Sequence, residues 1–219
     1  MTLILKKLQQ IFLMKLILKN DLINCITIVK NAGDKDRSIV NYSEASILIL
    51  FINNYIENNS LILMTKRKNN LRKHAGQIAF PGGRKEREDK DLKDTVQRET
   101  EEEVNIPKEN YDIIGNLPKF FTGTGYVVTP FLAIMKQNSD WKSLISPNLN
   151  EVEKIFYPKS YYLLSPKFHL REKPPINSSM FMTWKINYND ENIWGLTARV
   201  LVTISAGLGL REFPPCDDI

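Results

Sequence analysis

Residues 76–106, GQIAFPGGRKEREDKDLKDTVQRETEEEVNI, decide how this chain folds. Gln77 to Phe80 suits a short strand, Pro81-Gly82-Gly83 reads as a turn, and a polar loop then enters a helix of about four turns. Leu92, Thr95, Val96 and Val104 recur at roughly helical spacing and form a stripe for burial. Asp89 or Asp91 can cap the helix N-terminus. Asn105 follows the last apolar position, where a helix stop favours a residue that tolerates a left-handed backbone.

The same helix crowds Glu99, Glu101, Glu102 and Glu103 into five positions. Glu99 and Glu103 are an i, i+4 pair and Glu102 stands at i+3 from Glu99, so three carboxylates can converge on one face, where like charges repel. A divalent cation reverses that sign. Carboxylate oxygens suit the hard ion Mg²⁺, which keeps several waters and is commonly shared between protein and substrate phosphates. Arg98 reaches Glu102 at i+4 and can hold it, while Gly82 and Gly83 permit a backbone that folds back over the metal. As a charge run alone, the stretch reads more simply as a solvated acidic helix after a Pro-Gly turn.

The segment also resembles the signature of the Nudix hydrolases, G-x5-E-x7-R-E-U-x-E-E-x-G-U, with U a bulky apolar residue. Gly83 matches the opening glycine, Arg98-Glu99 the R-E pair, Glu102-Glu103 the E-E pair and Ile106 the last U. Asp89 stands where the first Glu is expected but eight residues, not seven, separate it from Arg98; Thr100 takes an apolar position and Asn105 replaces the glycine. The shifted spacing withholds from Asp89 the part played by that first Glu. Upstream, Leu63-Met64-Thr65-Lys66-Arg67, Arg72, Gly76 and Phe80-Pro81-Gly82-Gly83 resemble a second motif, L-L-T-x-R-S-x3-R-x3-G-x3-F-P-G-G, of the coenzyme A diphosphatase branch, with Met64 and Lys68 departing from it. The resemblance runs from about residue 46 to about residue 210, counting a WGLTA run at Trp194 to Ala198.

Around this centre the chain of 219 residues suits one sizeable domain: 42% apolar and 25% charged is ordinary globular composition. A net charge of +5 fits an acidic ligand but is too weak to imply nucleic acid. Two cysteines, Cys25 and Cys216, give no disulfide framework and fit a reducing cytoplasm. Residues 1–43 are expected to form an amphipathic segment and loop, residues 44–212 the domain, and residues 213–219 a tail. No apolar run approaches the roughly 20 residues needed to span a bilayer.

Ala45 to Ile52 and Ser60 to Thr65 read as a hairpin of two strands. The second delivers a basic loop, Lys66, Arg67, Lys68, Arg72, Lys73 and His74, in front of the glutamates. Its bland reading is a solubilising surface; its place in the second motif favours phosphate binding, for which guanidinium groups are suited. Tyr111 to Leu117 and Val127 to Ala133 read as strands around a Thr122-to-Gly125 loop that can line the pocket. Asn150 to Phe156 reads as a short helix, Phe181 to Tyr188 as a strand, and Trp194 opens a last helix. His169 reads as an ordinary surface residue, with no second His or Cys at metal spacing.

The resemblance implies the α/β/α Nudix sandwich with a mixed sheet, and a diphosphatase that needs Mg²⁺, or Mn²⁺ in its place. It implies metal ligands Glu99, Glu102 and Glu103; catalytic roles for Glu99, Glu102 and Arg98; and substrate contacts from Arg67, Arg72, Lys73, Gly82 and Gly83. The branch implies coenzyme A as the small-molecule partner, and a homodimer is compatible with it. A Nudix enzyme acting on a damaged nucleotide, an ADP-sugar or a capped RNA shares every metal residue. A non-catalytic nucleotide-binding module is the alternative of a different class, for which loss of the glutamates is the expected mark; they are all present.

Overall fold

A buried apolar run, Leu48 to Ile52, is the core of the central strand, since a strand covered on both faces needs no polar alternation. The computed structural model describes residues 16–32, 42–70, 75–137, 140–173 and 182–214. The chain enters through helix α1 (Lys19–Asn31), then strands β1 (Ser43–Asn54), β2 (Asn59–Ile62), β3 (Met64–Arg67), β4 (Ile78–Ala79) and β5 (Gly82–Arg84), and helix α2 (Leu92–Val104). There follow β6 (Tyr111–Asn116), β7 (Phe120–Phe121), β8 (Tyr126–Met135), β9 (Val152–Phe156), the short helix α3 (Ser160–Leu164), β10 (Leu170–Glu172), β11 (Thr183–Tyr188), β12 (Glu191–Trp194) and helix α4 (Gly195–Gly207).

The main sheet runs β2-β1-β8-β6, with β5 added to β1 and β7 to β8; β1 and β8 are parallel and the other pairs antiparallel, so the sheet is mixed. Two three-stranded antiparallel sheets, β4-β3-β9 and β10-β11-β12, flank it. On β1, Ile49 and Phe51 join the apolar cluster that contains α1 and α4, whereas Leu48, Leu50 and Ile52 join the cluster that contains α2. Helices therefore cover both faces of the sheet, giving the α/β/α layering.

Helix α1 buries Leu22, Cys25, Ile26 and Val29, the i, i+3, i+4, i+7 stripe of an amphipathic helix. Just before it, the Ile17 amide donates to Ser60 Oγ at 2.8 Å and Asn53 Nδ2 donates to the Ile17 carbonyl at 3.1 Å. The described part of the N-terminal segment thus shares a core with the rest of the chain; residues 1–15 lie outside the described residues. Among the described residues no helix is long and apolar enough to cross a membrane.

Four local expectations differ from the structure. Pro81-Gly82-Gly83 is no turn: Gly82 and Gly83 pair with Ile47 and Ser46 as part of β5, and the Leu48 amide donates to the Pro81 carbonyl at 2.8 Å. Ser60 to Thr65 is not one strand, because β2 pairs with β1 while β3 crosses into the β4-β3-β9 sheet. Asn150 to Phe156 contains a strand rather than a helix. The reason is alternation: Ile155 packs in one apolar cluster and Phe156 in the other, and the edge of β3 offers backbone partners. His169 is half-buried; its Nε2 meets the Leu163 carbonyl at 2.8 Å and its Nδ1 lies 3.2 Å from Arg211 Nη1, so it donates at Nε2 and accepts at Nδ1. Burial pushes its pKa down to about 4, and it acts as a neutral strut.

Candidate active site

Helix α2 carries the acidic cluster and its ends are fixed by the residues flanking it. Asp91 is the N-cap, accepting from the Asp94 amide at 2.8 Å, and Asn105 closes the helix in the left-handed region at φ 55°. Thr95, Val96, Thr100, Glu103 and Val104 are buried. Thr100 suits its apolar position because its hydroxyl donates to the Val96 carbonyl at 2.6 Å, leaving no unmatched polar group.

Strand β5 lays the glycine backbone against that helix. At Gly82, with φ 147°, a Cβ would stand 2.2 Å from the Ser46 carbonyl oxygen and 2.7 Å from Ile47 Cα. At Gly83 a Cβ would fall 2.3 to 2.5 Å from the Glu99 carboxylate. The missing side chain is thus what lets Glu99 press onto the strand. Gly83→Ala is expected to cut turnover at least tenfold while leaving the circular dichroism spectrum unchanged, because Glu99 alone has to move; unaltered turnover would mean that this placement of Glu99 is irrelevant to catalysis.

Glu99, Glu102 and Glu103 each pair with an arginine. Arg98 is a hub: its Nε and Nη2 donate to the two oxygens of Asp89 at 2.9 and 3.0 Å, and its Nη1 to Glu99 at 3.1 Å and Glu102 at 2.9 Å. Asp89, which is not the helix cap, is buried and also accepts from the Glu86 amide at 2.8 Å. The extra residue of spacing is absorbed in the loop, so Asp89 reaches the guanidinium from outside the helix. Arg98 holds its carboxyl well below the usual carboxylate range. Glu103, on the other flank of α2, accepts from Arg67 Nη1 at 3.1 Å and from the Gly82 amide at 3.4 Å.

Burial, opposed by Arg98, raises the proton affinity of Glu99. Burial pushes Glu103 up to about 8, with Arg67 opposing and the negative charge of Glu99 adding to it. Glu102 is 55% exposed. Among the described residues no three acidic, histidine or cysteine side chains are drawn together around one point, because Arg98 and Arg67 occupy their oxygens. The donor set nevertheless fits a hard cation: all-oxygen, held on a rigid helix, and with two members whose negative charge is disfavoured until something positive neutralises it.

The structure thus joins Arg98 to Glu99 and Glu102, Glu103 to Arg67 and Gly82, and Glu99 to Gly83, without drawing the three glutamates around one point, while Arg72 and Lys73 lie outside the described residues. It adds groups that the sequence reading passed over. Glu151 lies 3.7 Å from Arg67 Nη2. An open cleft of about 370 Å³ beside Glu99 is lined by Arg84, Lys85, Glu86, Arg87 and Glu88. Nothing in the sequence marked Glu151.

The family model of the NUDIX domain matches residues 45–174, more than half of the chain. The chain belongs to the Nudix family. As a Nudix hydrolase it acts on pyrophosphate bonds, with a nucleotide-type small molecule as substrate and generally a divalent metal ion as helper. It is 36% identical over 143 residues to an uncharacterized Nudix hydrolase NudL of Yersinia pestis, covering 64% of this chain and 68% of that protein, and equally to one of Yersinia pseudotuberculosis. Among solved structures it is similar to a MutT/nudix family protein from Enterococcus faecalis (TM-score 0.47, 14% identity, 80% of this chain and 64% of that one). It is also similar to an Ap4A hydrolase of C. elegans (TM-score 0.43, 19% identity, 53% and 80%).

Proposed function

We propose that this Nudix hydrolase splits the diphosphate linkage of coenzyme A or its acyl derivatives, giving 3′,5′-ADP and 4′-phosphopantetheine or its acyl form. One observation supports the reading above others. The stretch that resembles the coenzyme A branch, Leu63 to Gly83, touches the glutamate helix at both of its ends: Arg67 donates to Glu103, and Gly83 underlies Glu99. Two residues of that stretch, Arg67 and Gly83, thus adjoin the glutamates of the general Nudix signature.

In this reading Glu99, Glu102 and Glu103 hold Mg²⁺ or, in its place, Mn²⁺. Such an ion, when bound, neutralises the diphosphate and acidifies water. Glu99 or Glu102 takes the proton as the water oxygen attacks phosphorus and the bridging P–O bond breaks, the electron pair leaving with the departing phosphate. Arg98 keeps both candidate bases in place through one amino group. Arg84, Lys85 and Arg87, with Arg72 and Lys73, supply positive charge for the phosphates. A cytoplasmic site of action, from a sequence with only two cysteines, and a homodimer belong to the same proposal.

The test is a panel of diphosphates with Mg²⁺: coenzyme A, dephospho-coenzyme A, ADP-ribose, a damaged nucleotide and a capped RNA, with products separated by charge. Coenzyme A is expected to lead. Dephospho-coenzyme A lacks the 3′-phosphate, and losing one or two charge-assisted bonds lowers kcat/KM roughly ten- to hundredfold. Arg72→Ala is expected to narrow that gap. Equal turnover of the two, or preference for ADP-ribose, refutes the coenzyme A reading.

A further inference from the structure

Arg67 divides its guanidinium between two carboxylates. Nη1 meets Glu103, whose side chain is 5% exposed, at 3.1 Å, and Nη2 meets Glu151, 49% exposed, at 3.7 Å. Its Nε is buried with no hydrogen-bond partner. A guanidinium free to choose would lay two parallel donors on one carboxylate. Beside it, the register of β3 against β9 shifts between Lys66 and Arg67, an irregularity of the kind that re-aims a side chain.

The loop that carries Glu151 is tied to both elements of the site. The Asn148 amide donates to the Glu103 carbonyl at 2.9 Å, the Glu151 amide to the Asn148 carbonyl at 3.0 Å, and the Lys68 amide to the Glu151 carbonyl at 2.9 Å. Glu151 is therefore held at a fixed place beside α2 and β3. Its charge is felt at both Glu99 and Glu103.

Building on the cation-site reading, we propose that Glu151 is a positioning residue: by keeping one amino group of Arg67, it stops Arg67 from closing on Glu103 with both, and so leaves Glu103 able to turn to a cation. Arg67 and a cation compete for the same buried oxygens, and Glu151 sets the terms of that competition.

The probe is Mn²⁺, its binding to chelator-stripped, full-length protein followed by the paramagnetic signal of the free ion. Glu151→Gln is expected to weaken Mn²⁺ roughly tenfold, the scale of one charge beside a divalent ion, and Glu151→Asp to retain most of the affinity. The metal-free denaturation midpoint of Glu151→Gln stays near that of the parent, because a half-exposed pair contributes little. In an Arg67→Lys background, where an ammonium cannot span two carboxylates, the effect of Glu151→Gln shrinks to about twofold or less. An equal loss in both backgrounds reveals a plain charge effect and overturns the inference, as does unchanged Mn²⁺ binding or a collapse of stability in Glu151→Gln. Glu99→Gln separates the two readings: if it loses Mn²⁺ while Glu151→Gln does not, only this inference fails. If the unmodified protein binds no Mn²⁺, both fail.

Discussion

Glu103→Gln is expected to lower kcat by at least a hundredfold with Mg²⁺ present, as losing a ligand forfeits several kcal/mol of charge stabilisation. The folded protein should survive the change. Burial lifts the Glu103 pKa to about 8, against an ordinary glutamate in the unfolded chain. The native state therefore binds the extra proton, and this group costs stability as pH rises from about 4.5 towards 8, with the cost constant above that. Glutamine keeps the shape and the neutral state. In the presence of a chelator, the variant should match the parent near pH 5 and unfold at a higher temperature at pH 8.5, less whatever the lost pairing with Arg67 contributed. A well-folded Glu103→Gln protein that retains most activity refutes the assignment of Glu103 to the cation.

The second large effect belongs to Arg98. Arg98→Lys replaces a fork that serves Asp89, Glu99 and Glu102 at once with a point charge that can serve one. Asp89, only 3% exposed in its side chain, is left without its bidentate partner. Losing one charge-assisted bond of that grip costs about 1.5 to 3 kcal/mol, and both candidate bases lose their positioning, so turnover falls as well. The pH dependence has the opposite sense to that of Glu103. Asp89 is held below the usual carboxylate range, so its pairing stabilises the fold above about pH 4 and is lost as pH falls through the lower native value. Arg98→Lys should therefore denature at a higher pH during acid titration. Urea titrations across pH measure this; a variant with the parent's acid stability and turnover would show that the hub is incidental.

The helix at residues 92–104 was legible in the sequence because its determinants are local: Asp91 caps it, Asn105 ends it, and the burial of Val96 and Val104 follows their spacing. The i+4 contact from Arg98 to Glu102 was equally local. So was the central strand, an unbroken apolar run, and so was the family, whose motifs are contiguous. The helix proposed at residues 150–156 failed because that stretch has no cap and little length, and its conformation is set by β3, which pairs with it from more than eighty residues away.

What the sequence by itself determined, then, is where the acidic helix lies, which of its residues repel one another, and that a glycine pair precedes it. Only the tertiary structure decided which cation answers which carboxylate. Arg67 meets Glu103 across 36 positions, Asp89 rather than Glu102 takes the bidentate grip of Arg98, and Gly83 lies in a strand against Glu99 rather than in a turn. The physical reason is that helix caps and i+4 pairs are fixed within one turn of backbone. The partner of a buried charge is fixed by strand register and by which loop folds over it, and these are properties of the packed chain.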